Sequence, residues 1–299
     1  MLKLTRSILT ITLLVAFISC QDKREISKDS ITIKDDLGNE ISLDTLPKRI
    51  ISLAPNITEA LYAIEADSLI VGVTNYCDYP ADSKSKKKVG GMIDPNYEII
   101  TSLKPDIILL TVEGNAKQSY VALKNLGLKV FVTNPRNVNG IIKMINDLGI
   151  ITGKKKEANE ISNKIKKDKI YFEELNRSSV DKRCLLLISV NPLMSANHNT
   201  FINEIVELSG FDNLYRDEAI EYPMISYEDV TEKDPEYIIF PTDTSDAKGY
   251  EKYKEEISDN LNSTKAVKEN KVIFVDENIL FRPGPRVINA VKLIRSKIE

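Results

Sequence analysis

The stretch from Thr152 to Arg177 constrains the fold of this chain more than any other. It contains no proline, and its only glycine, Gly153, stands near its start. Its apolar residues recur at nearly the 3.6-residue period of a one-faced helix, and they are Ala158, Ile161, Ile165, Phe172 and Leu175. A helix of this length spans about 39 Å, which is enough for a strut between two lobes. A surface helix within one large domain is the alternative interpretation.

Short β-branched runs alternate with helical patterns on both sides of this helix, which predicts mostly parallel sheets covered by helices. Two of these units echo one another. Residues 98–110 and 228–240 share a pattern in which a glutamate opens a helix, a proline turn follows, and a buried strand comes next. The sequence therefore predicts an α/β fold of two related lobes, each with a mostly parallel sheet, joined by one long backbone helix.

A chain of 299 residues has the length for two such lobes. We expect five segments. They are a signal peptide (1–19), a flexible tether (20–30), an N-terminal lobe (31–151), the backbone helix (152–177) and a C-terminal lobe (178–299).

The N-terminal segment predicts export. Lys3 and Arg6 precede an apolar run from Ile8 to Ile18, which is too short to span a membrane comfortably. The run ends at Ser19-Cys20 and resembles the lipobox of bacterial lipoproteins, although Phe17 stands where leucine is usual. That resemblance implies lipidation of Cys20 and anchoring of the exported chain at the cell envelope, on the periplasmic face or the cell surface. Secretion with cleavage nearby is the alternative.

Composition and motifs argue against several functions. The net charge of −3 disfavours nucleic acid as a partner. The chain lacks a phosphate loop, a Gly-x-Ser-x-Gly elbow and a Cys-x-x-Cys pair, and its single histidine, His198, is too few for a histidine-based metal site. We therefore predict a protein that is not an enzyme and holds no metal or cofactor of its own. An envelope lipoprotein enzyme or a structural protein is the alternative from another class.

Four motifs, in order along the chain, resemble the helical-backbone (class III) periplasmic binding proteins of ABC importers. They are Pro47–Glu59, Val71–Pro80, Leu103–Leu109 and Arg282–Arg286. The resemblance covers about residues 31–299, with the long helix in the expected place. It implies a monomer that carries a metal chelate such as cobalamin, haem or a ferric siderophore, and within the family the cobalamin binders are the most similar.

The resemblance also implies how the protein would meet its transporter. Family members dock one glutamate from each lobe into arginine pockets of the permease dimer, and Glu98 and Glu228 occupy the matching positions. From the residues alone, both are also explained as acids in the first turn of a helix, where they stabilise the macrodipole. We further expect Asp94 to cap the helix of Glu98, with Pro95 at its first position.

For the ligand, the resemblance places Tyr76, Met92 and Tyr222 where cobalamin binders have aromatic cleft residues. The loop that contains Met194 should face the cleft from the second lobe, as should Asn278 and Arg282. This chain has no tryptophan, so the expected aromatic clamp is weaker. Tyrosine can still stack on a macrocycle, and methionine is adaptable and polarisable.

Two rival ligands stay open. Met92 also matches an axial methionine of a haem-binding relative, and His198 is the candidate for the opposite ligand. A siderophore receptor needs several cleft arginines for an anionic complex, and only Arg136 and Arg282 are candidates.

Overall fold

The computed structural model describes residues 30–177, 182–243 and 245–298. The predicted signal peptide, Cys20 and all of the tether except Ser30 lie outside the described residues. Among the residues described, no helix combines the length and the apolar character needed to cross a membrane.

The N-terminal lobe is built on a four-stranded parallel sheet in the order β4-β3-β5-β6. Its central strands are runs of isoleucine and leucine that are buried on both faces, as a parallel sheet covered by helices requires. An antiparallel hairpin, β1-β2, precedes the sheet. The strands are β1 (Ile31–Lys34), β2 (Glu40–Leu43), β3 (Ile50–Ser52), β4 (Ile70–Val73), β5 (Ile107–Thr111) and β6 (Val130–Thr133). The helices of this lobe are α1 (Pro55–Ala63), α2 (Tyr97–Ser102), α3 (Lys117–Asn125) and α4 (Val138–Thr152).

The C-terminal lobe repeats this topology. Its parallel sheet has the order β10-β7-β11-β12, so in both lobes the first strand of the sheet lies between the second and the third, and the fourth forms an edge. The strands are β7 (Lys182–Leu186), β8 (Ser189–Val190), β9 (Leu193–Met194), β10 (Phe211–Asn213), β11 (Tyr237–Thr242) and β12 (Val272–Asp276). The helices after the long connection are α6 (Phe201–Leu208), α7 (Tyr227–Lys233), α8 (Ala247–Asn260), α9 (Lys265–Lys268), α10 (Glu277–Leu280) and α11 (Val287–Arg295). The predicted α/β class with two parallel-sheet lobes is confirmed.

The repeat seen in the sequence corresponds to equivalent elements. Helix α2 leads into β5, and α7 leads into β11, and each of these strands is the third of its sheet. Glu98 and Glu228 therefore occupy equivalent places in the two lobes.

The long helix, α5, runs from Lys155 to Asn176. Thr152 belongs instead to α4, because Gly153 adopts a left-handed conformation (φ +75°) that ends that helix. The first half of α5 packs against α4, where a Cβ added to Gly149 would lie 2.4 Å from the Cβ of Ala158. The second half reaches the C-terminal lobe, where Lys169 pairs with Glu204 of α6 at 3.1 Å. One helix thus contacts both lobes.

The predicted apolar stripe of α5 is only partly correct. Ala158, Ile165 and Phe172 are buried, whereas Ile161 is partly buried and Leu175 is exposed. Ser162 is buried in their place, and its hydroxyl oxygen lies 2.9 Å from Oδ1 of Asn146 on α4.

A continuous buried core connects the two lobes. It includes Ile57 and Met144 of the N-terminal lobe, Phe172 of α5, and Phe201 and Val291 of the C-terminal lobe. Two smaller clusters cover the outer faces of the sheets. Because close-packed interiors resist deformation, we expect this shared core to limit movement between the two lobes.

Candidate ligand-binding cleft

The carboxyl ends of the strands in both sheets point toward the space between the lobes, the place where α/β sheets usually bind ligands. Loops that follow β4, β5 and β6 supply the N-terminal wall, and loops that follow β10 and β12 supply the C-terminal wall. Two groups of charged side chains cross from wall to wall. We call them the inner cluster (Glu59, Arg282, Arg286) and the outer cluster (Glu113, Arg136, Glu221).

The inner cluster is centred on a buried carboxylate. Glu59 lies on α1, and its side chain is only 2% exposed. Arg286 donates to both of its oxygens, from Nε to Oε2 at 2.8 Å and from a terminal nitrogen to Oε1 at 2.6 Å. Arg282 donates to Oε1 as well, at 3.2 Å. Two guanidinium groups of the C-terminal lobe thus hold one carboxylate of the N-terminal lobe with charge-assisted bonds.

Arg282 has further partners around the cleft. It donates to Asp78 Oδ1 at 2.6 Å, to Asn278 Oδ1 at 2.5 Å and to the carbonyl oxygen of Tyr76 at 3.5 Å. Burial alone would lower the pKa of Arg282, but the bonds and charges of Asp78 and Glu59 outweigh it and raise that pKa. Burial alone would raise the pKa of Asp78, but the hydrogen bond and the charge of Arg282 outweigh burial and lower that pKa. The predicted contact residues Tyr76, Asn278 and Arg282 are therefore brought together, with the guanidinium already bonded to protein carboxylates.

The outer cluster is more open to solvent. One terminal nitrogen of Arg136 lies 3.0 Å from Glu113 Oε1, and the other pairs with Glu221 of the C-terminal lobe. These three side chains are between 30% and 43% exposed. Burial and the neighbouring Glu221 raise the pKa of Glu113, against the opposing effect of Arg136. The hydrogen bond to Glu221 is the largest cause that raises the pKa of Arg136.

Met92 and Tyr222 stand next to the outer cluster, one on each wall. Met92 contacts the turn after β5, since a Cβ added to Gly114 would lie 2.3 Å from its Cε, and its carbonyl accepts a bond from Asn115 at 2.9 Å. Tyr222 follows Glu221, and burial together with the charge of Glu113 raises its pKa to about 12. Both side chains are partly buried against the shared core. The remaining predicted contact of the C-terminal lobe, Met194, is partly exposed on β9 and pairs with Met224 through an isolated bridge.

His198 lies in a polar cavity of about 560 Å³ beside the outer cluster. Arg136, Glu221 and His198 are among its lining residues, and Met92 is not. The ring nitrogen Nδ1 of His198 lies 2.6 Å from the carbonyl oxygen of Arg216. The part of the chain that the structure describes holds no group of three or more His, Cys, Asp or Glu side chains arranged for a metal ion.

Glu98 and Glu228 are exposed in the first turns of α2 and α7. Asn96 caps α2 by accepting a bond from the backbone nitrogen of Ile99 at 2.9 Å, and Ser226 caps α7 by accepting from that of Asp229 at 3.1 Å. The prediction that Asp94 caps α2 is wrong, because the helix begins at Tyr97 and the residue before it takes that role. Within the described ranges, neither glutamate has an ion-pair partner. Each lobe thus presents an accessible glutamate in the first turn of an equivalent helix.

Comparisons with known proteins agree with this architecture. The periplasmic binding protein family matches residues 50–279. An uncharacterised ABC transporter substrate-binding lipoprotein of Bacillus subtilis, YvrC, is 30% identical over 276 residues, which cover 90% of this chain and 85% of that protein. The chain belongs to the periplasmic binding protein family.

Two further members of the family carry the name of a ligand. The vitamin B12-binding protein of Yersinia pestis is 30% identical over 203 residues, which cover 67% of this chain and 72% of that protein. The crystal structure of the periplasmic vitamin B12-binding protein BtuF of Vibrio cholerae superposes with a TM-score of 0.72 at 25% identity, over 85% of this chain and 97% of that one.

Within this family fold, sequence reasoning missed the carboxylates that hold the cleft arginines. Glu59, Asp78, Glu113 and Glu221 were not singled out for that role. Glu59 carries a signal that could have found it, because it is a charged residue inside the apolar run of α1 and is buried there. A buried carboxylate needs a cationic partner, but the burial of Glu59 does not identify which residue that partner is.

Proposed function

We propose that this protein is the substrate-binding component of an ABC importer and carries cobalamin or a related corrinoid in the cleft between its lobes. The observation that carries the proposal is a two-walled cleft in a family member that is 30% identical to a vitamin B12-binding protein over two thirds of its length. The protein binds and delivers the ligand and carries out no chemical step.

The walls of the cleft suit a large, largely apolar macrocycle. Tyr222 offers an aromatic face from the C-terminal wall, and Met92 offers a polarisable side chain from the N-terminal wall. Tyr76 is 59% exposed at the rim, where its ring is accessible to a ligand. Asn278, Arg282 and Met194 complete the proposed contact set and would supply polar and apolar contacts at the edge of the ring.

Titration of the full chain in detergent with cobalamin and with haem tests the ligand. We expect saturable binding of cobalamin, weakened by Tyr222→Ala, and no comparable binding of haem. A Soret shift with haem that Met92→Ala or His198→Ala abolishes would show that the ligand is haem and not a corrinoid.

Glu98 and Glu228 are proposed to engage the permease dimer, one lobe on each subunit. Their accessible, equivalent carboxylates support this role, since a two-fold symmetric partner would meet the same group twice. The double variant Glu98→Lys/Glu228→Lys should abolish uptake and leave ligand affinity unchanged. The control Glu40→Lys/Glu255→Lys makes the same charge change at one exposed position on each lobe and should keep uptake. Loss of ligand affinity in the first variant would contradict the docking role.

Cys20 is proposed to carry the lipid anchor that holds the protein at the membrane surface. The name of the Bacillus subtilis relative, a lipoprotein, supports this assignment. Cys20→Ser should move the protein from the membrane fraction to the soluble exported fraction, and retention in the membrane fraction would contradict it.

A further inference from the structure

Carboxylates of the protein already engage the arginines of the cleft, and in the outer cluster they outnumber the arginine. Arg136 is held by Glu113 and Glu221, and the terminal nitrogen that pairs with Glu221 also donates to the carbonyl oxygen of Asn199 at 3.5 Å. Three groups with one positive and two negative charges therefore face the cleft next to Met92 and Tyr222.

Arg282 of the inner cluster is likewise already bonded to protein groups. Arg282 is bonded to Asp78, Glu59 and Asn278, and only 13% of its side chain is exposed. The exposed side chain of Lys84 also lowers the pKa of Asp78. Neither Arg136 nor Arg282 thus offers an anionic ligand a guanidinium that is free of protein carboxylates.

We propose that the cleft selects neutral or cationic metal chelates, and that Glu113 and Glu221 are the residues that exclude anionic ones. This inference rests on the proposed function and specifies the class of ligand. A ligand carboxylate beside Arg136 must either displace Glu221, which breaks the ion pair between the lobes, or lie close to two like charges. A neutral amide at the same place can accept or donate a hydrogen bond without either cost.

Matched ligands that differ only in ionised carboxyl groups, by one in the corrinoid pair and by two in the haem pair, test this selectivity. Cyanocobalamin is compared with its monocarboxylic acid, in which one side-chain amide is hydrolysed, and haem with its dimethyl ester. Calorimetric or absorbance titration of the full chain in detergent gives the affinities. For whichever chelate binds, we expect the form with fewer carboxylates to bind at least about tenfold more tightly, a difference of about 1.4 kcal/mol.

Variants assign the selectivity to its residues. Glu113→Gln/Glu221→Gln keeps the shape of both side chains and should reduce the tenfold gap to about twofold, mainly by improving the affinity of the anionic form. Glu218→Gln, in the same loop as Glu221 and exposed, makes the same kind of charge change and should leave the gap unchanged. Circular dichroism and thermal melting check that all variants are folded.

Three results would overturn the inference. Equal affinity of the native protein for both members of a bound pair would do so and leave the proposed function standing. A gap that survives the double variant would remove Glu113 and Glu221 from the role. Failure of all four chelates to bind the native protein would overturn the proposed function and the inference together.

Discussion

The inner and outer clusters use the same chemistry, arginine to carboxylate across the lobes, in two different surroundings. Glu59 of the inner cluster is 2% exposed and accepts a bidentate bond, whereas the outer cluster is between 30% and 43% exposed. A buried charge is costly to leave without its partner, while an exposed pair contributes little because water can replace either side. The difference indicates that the inner cluster contributes more than the outer cluster to holding the two walls relative to each other.

The largest expected effect is the difference in the free energy of unfolding that is lost when one carboxylate of each cluster is neutralised. Glu59→Gln leaves two guanidinium groups beside a neutral amide in a buried place, which should lower the free energy of unfolding by about 3–5 kcal/mol. Glu221→Gln removes a carboxylate from the exposed cluster and should cost less than about 1 kcal/mol. Urea unfolding followed by circular dichroism measures both. Equal losses would show that burial does not distinguish the clusters.

A smaller effect is expected at Gly114, where the chain contacts Met92 in the cleft wall next to the outer cluster. Gly114 has a φ of +112°, and a Cβ there would lie 2.3 Å from Met92 Cε. Gly114→Ala should therefore lower the free energy of unfolding by about 1–3 kcal/mol and displace Met92, with weaker ligand binding as a result. Gly127→Ala is the matched control, because Gly127 also has a positive φ (+75°) but no atom within 4 Å of the added Cβ. Identical ligand affinity in the two variants would mean that Met92 does not shape the wall.

A still smaller effect is the pH dependence of the two cleft carboxylates. The pKa of Glu113, which faces Arg136, Glu221 and Tyr222, is raised from its ordinary 4.5, so its stabilising contribution is complete below pH 4.5 and is lost as the pH rises through the higher folded value. The pKa of Asp78, which faces Arg282 and Lys84, is lowered from 3.8, so its contribution is present above pH 3.8 and is lost as the pH falls through the folded value.

Unfolding curves of the native protein and of each variant, measured over a range of pH, distinguish these two directions of pH dependence. The stability of the native protein relative to Glu113→Gln should fall as the pH rises above about 4.5, whereas its stability relative to Asp78→Asn should fall on acidification below about pH 4. A pH dependence of the same direction for both variants would contradict the opposite pKa shifts of Glu113 and Asp78.

Local and periodic features of this fold were predictable from the sequence. The long helix, the alternation of strands and helices, and the repeat of residues 98–110 in 228–240 depend on patterns within short stretches. The start of α5 was misplaced because Gly153 can continue a helix or end it, and only its left-handed φ decides. Strand β10 has no such pattern, because it is a three-residue edge strand with two polar residues.

The ion pairs of the cleft could not be predicted in the same way. Glu59 and Arg286 are 227 residues apart, and no periodicity links their positions. Their pairing follows from how two sheets and one helix place α1 beside the segment before α11. The candidate contacts Tyr76, Met92, Met194, Tyr222, Asn278 and Arg282 came from a family resemblance, and their contact with a ligand stays a prediction.

The smallest expected effect is the movement of the lobes when ligand binds. Helix α5, the shared core and the inner cluster all join the lobes, and none of them offers the loop hinge that a large closure needs. Small-angle scattering of the free and ligand-bound protein should therefore show a closure of at most about a few degrees. The Glu59→Gln variant should show a larger difference between its two curves than the native protein does, because it lacks the buried ion pairs. A marked change in the native protein would contradict the rigid connection, and a native-like response of Glu59→Gln would assign the rigidity to α5 and the core alone.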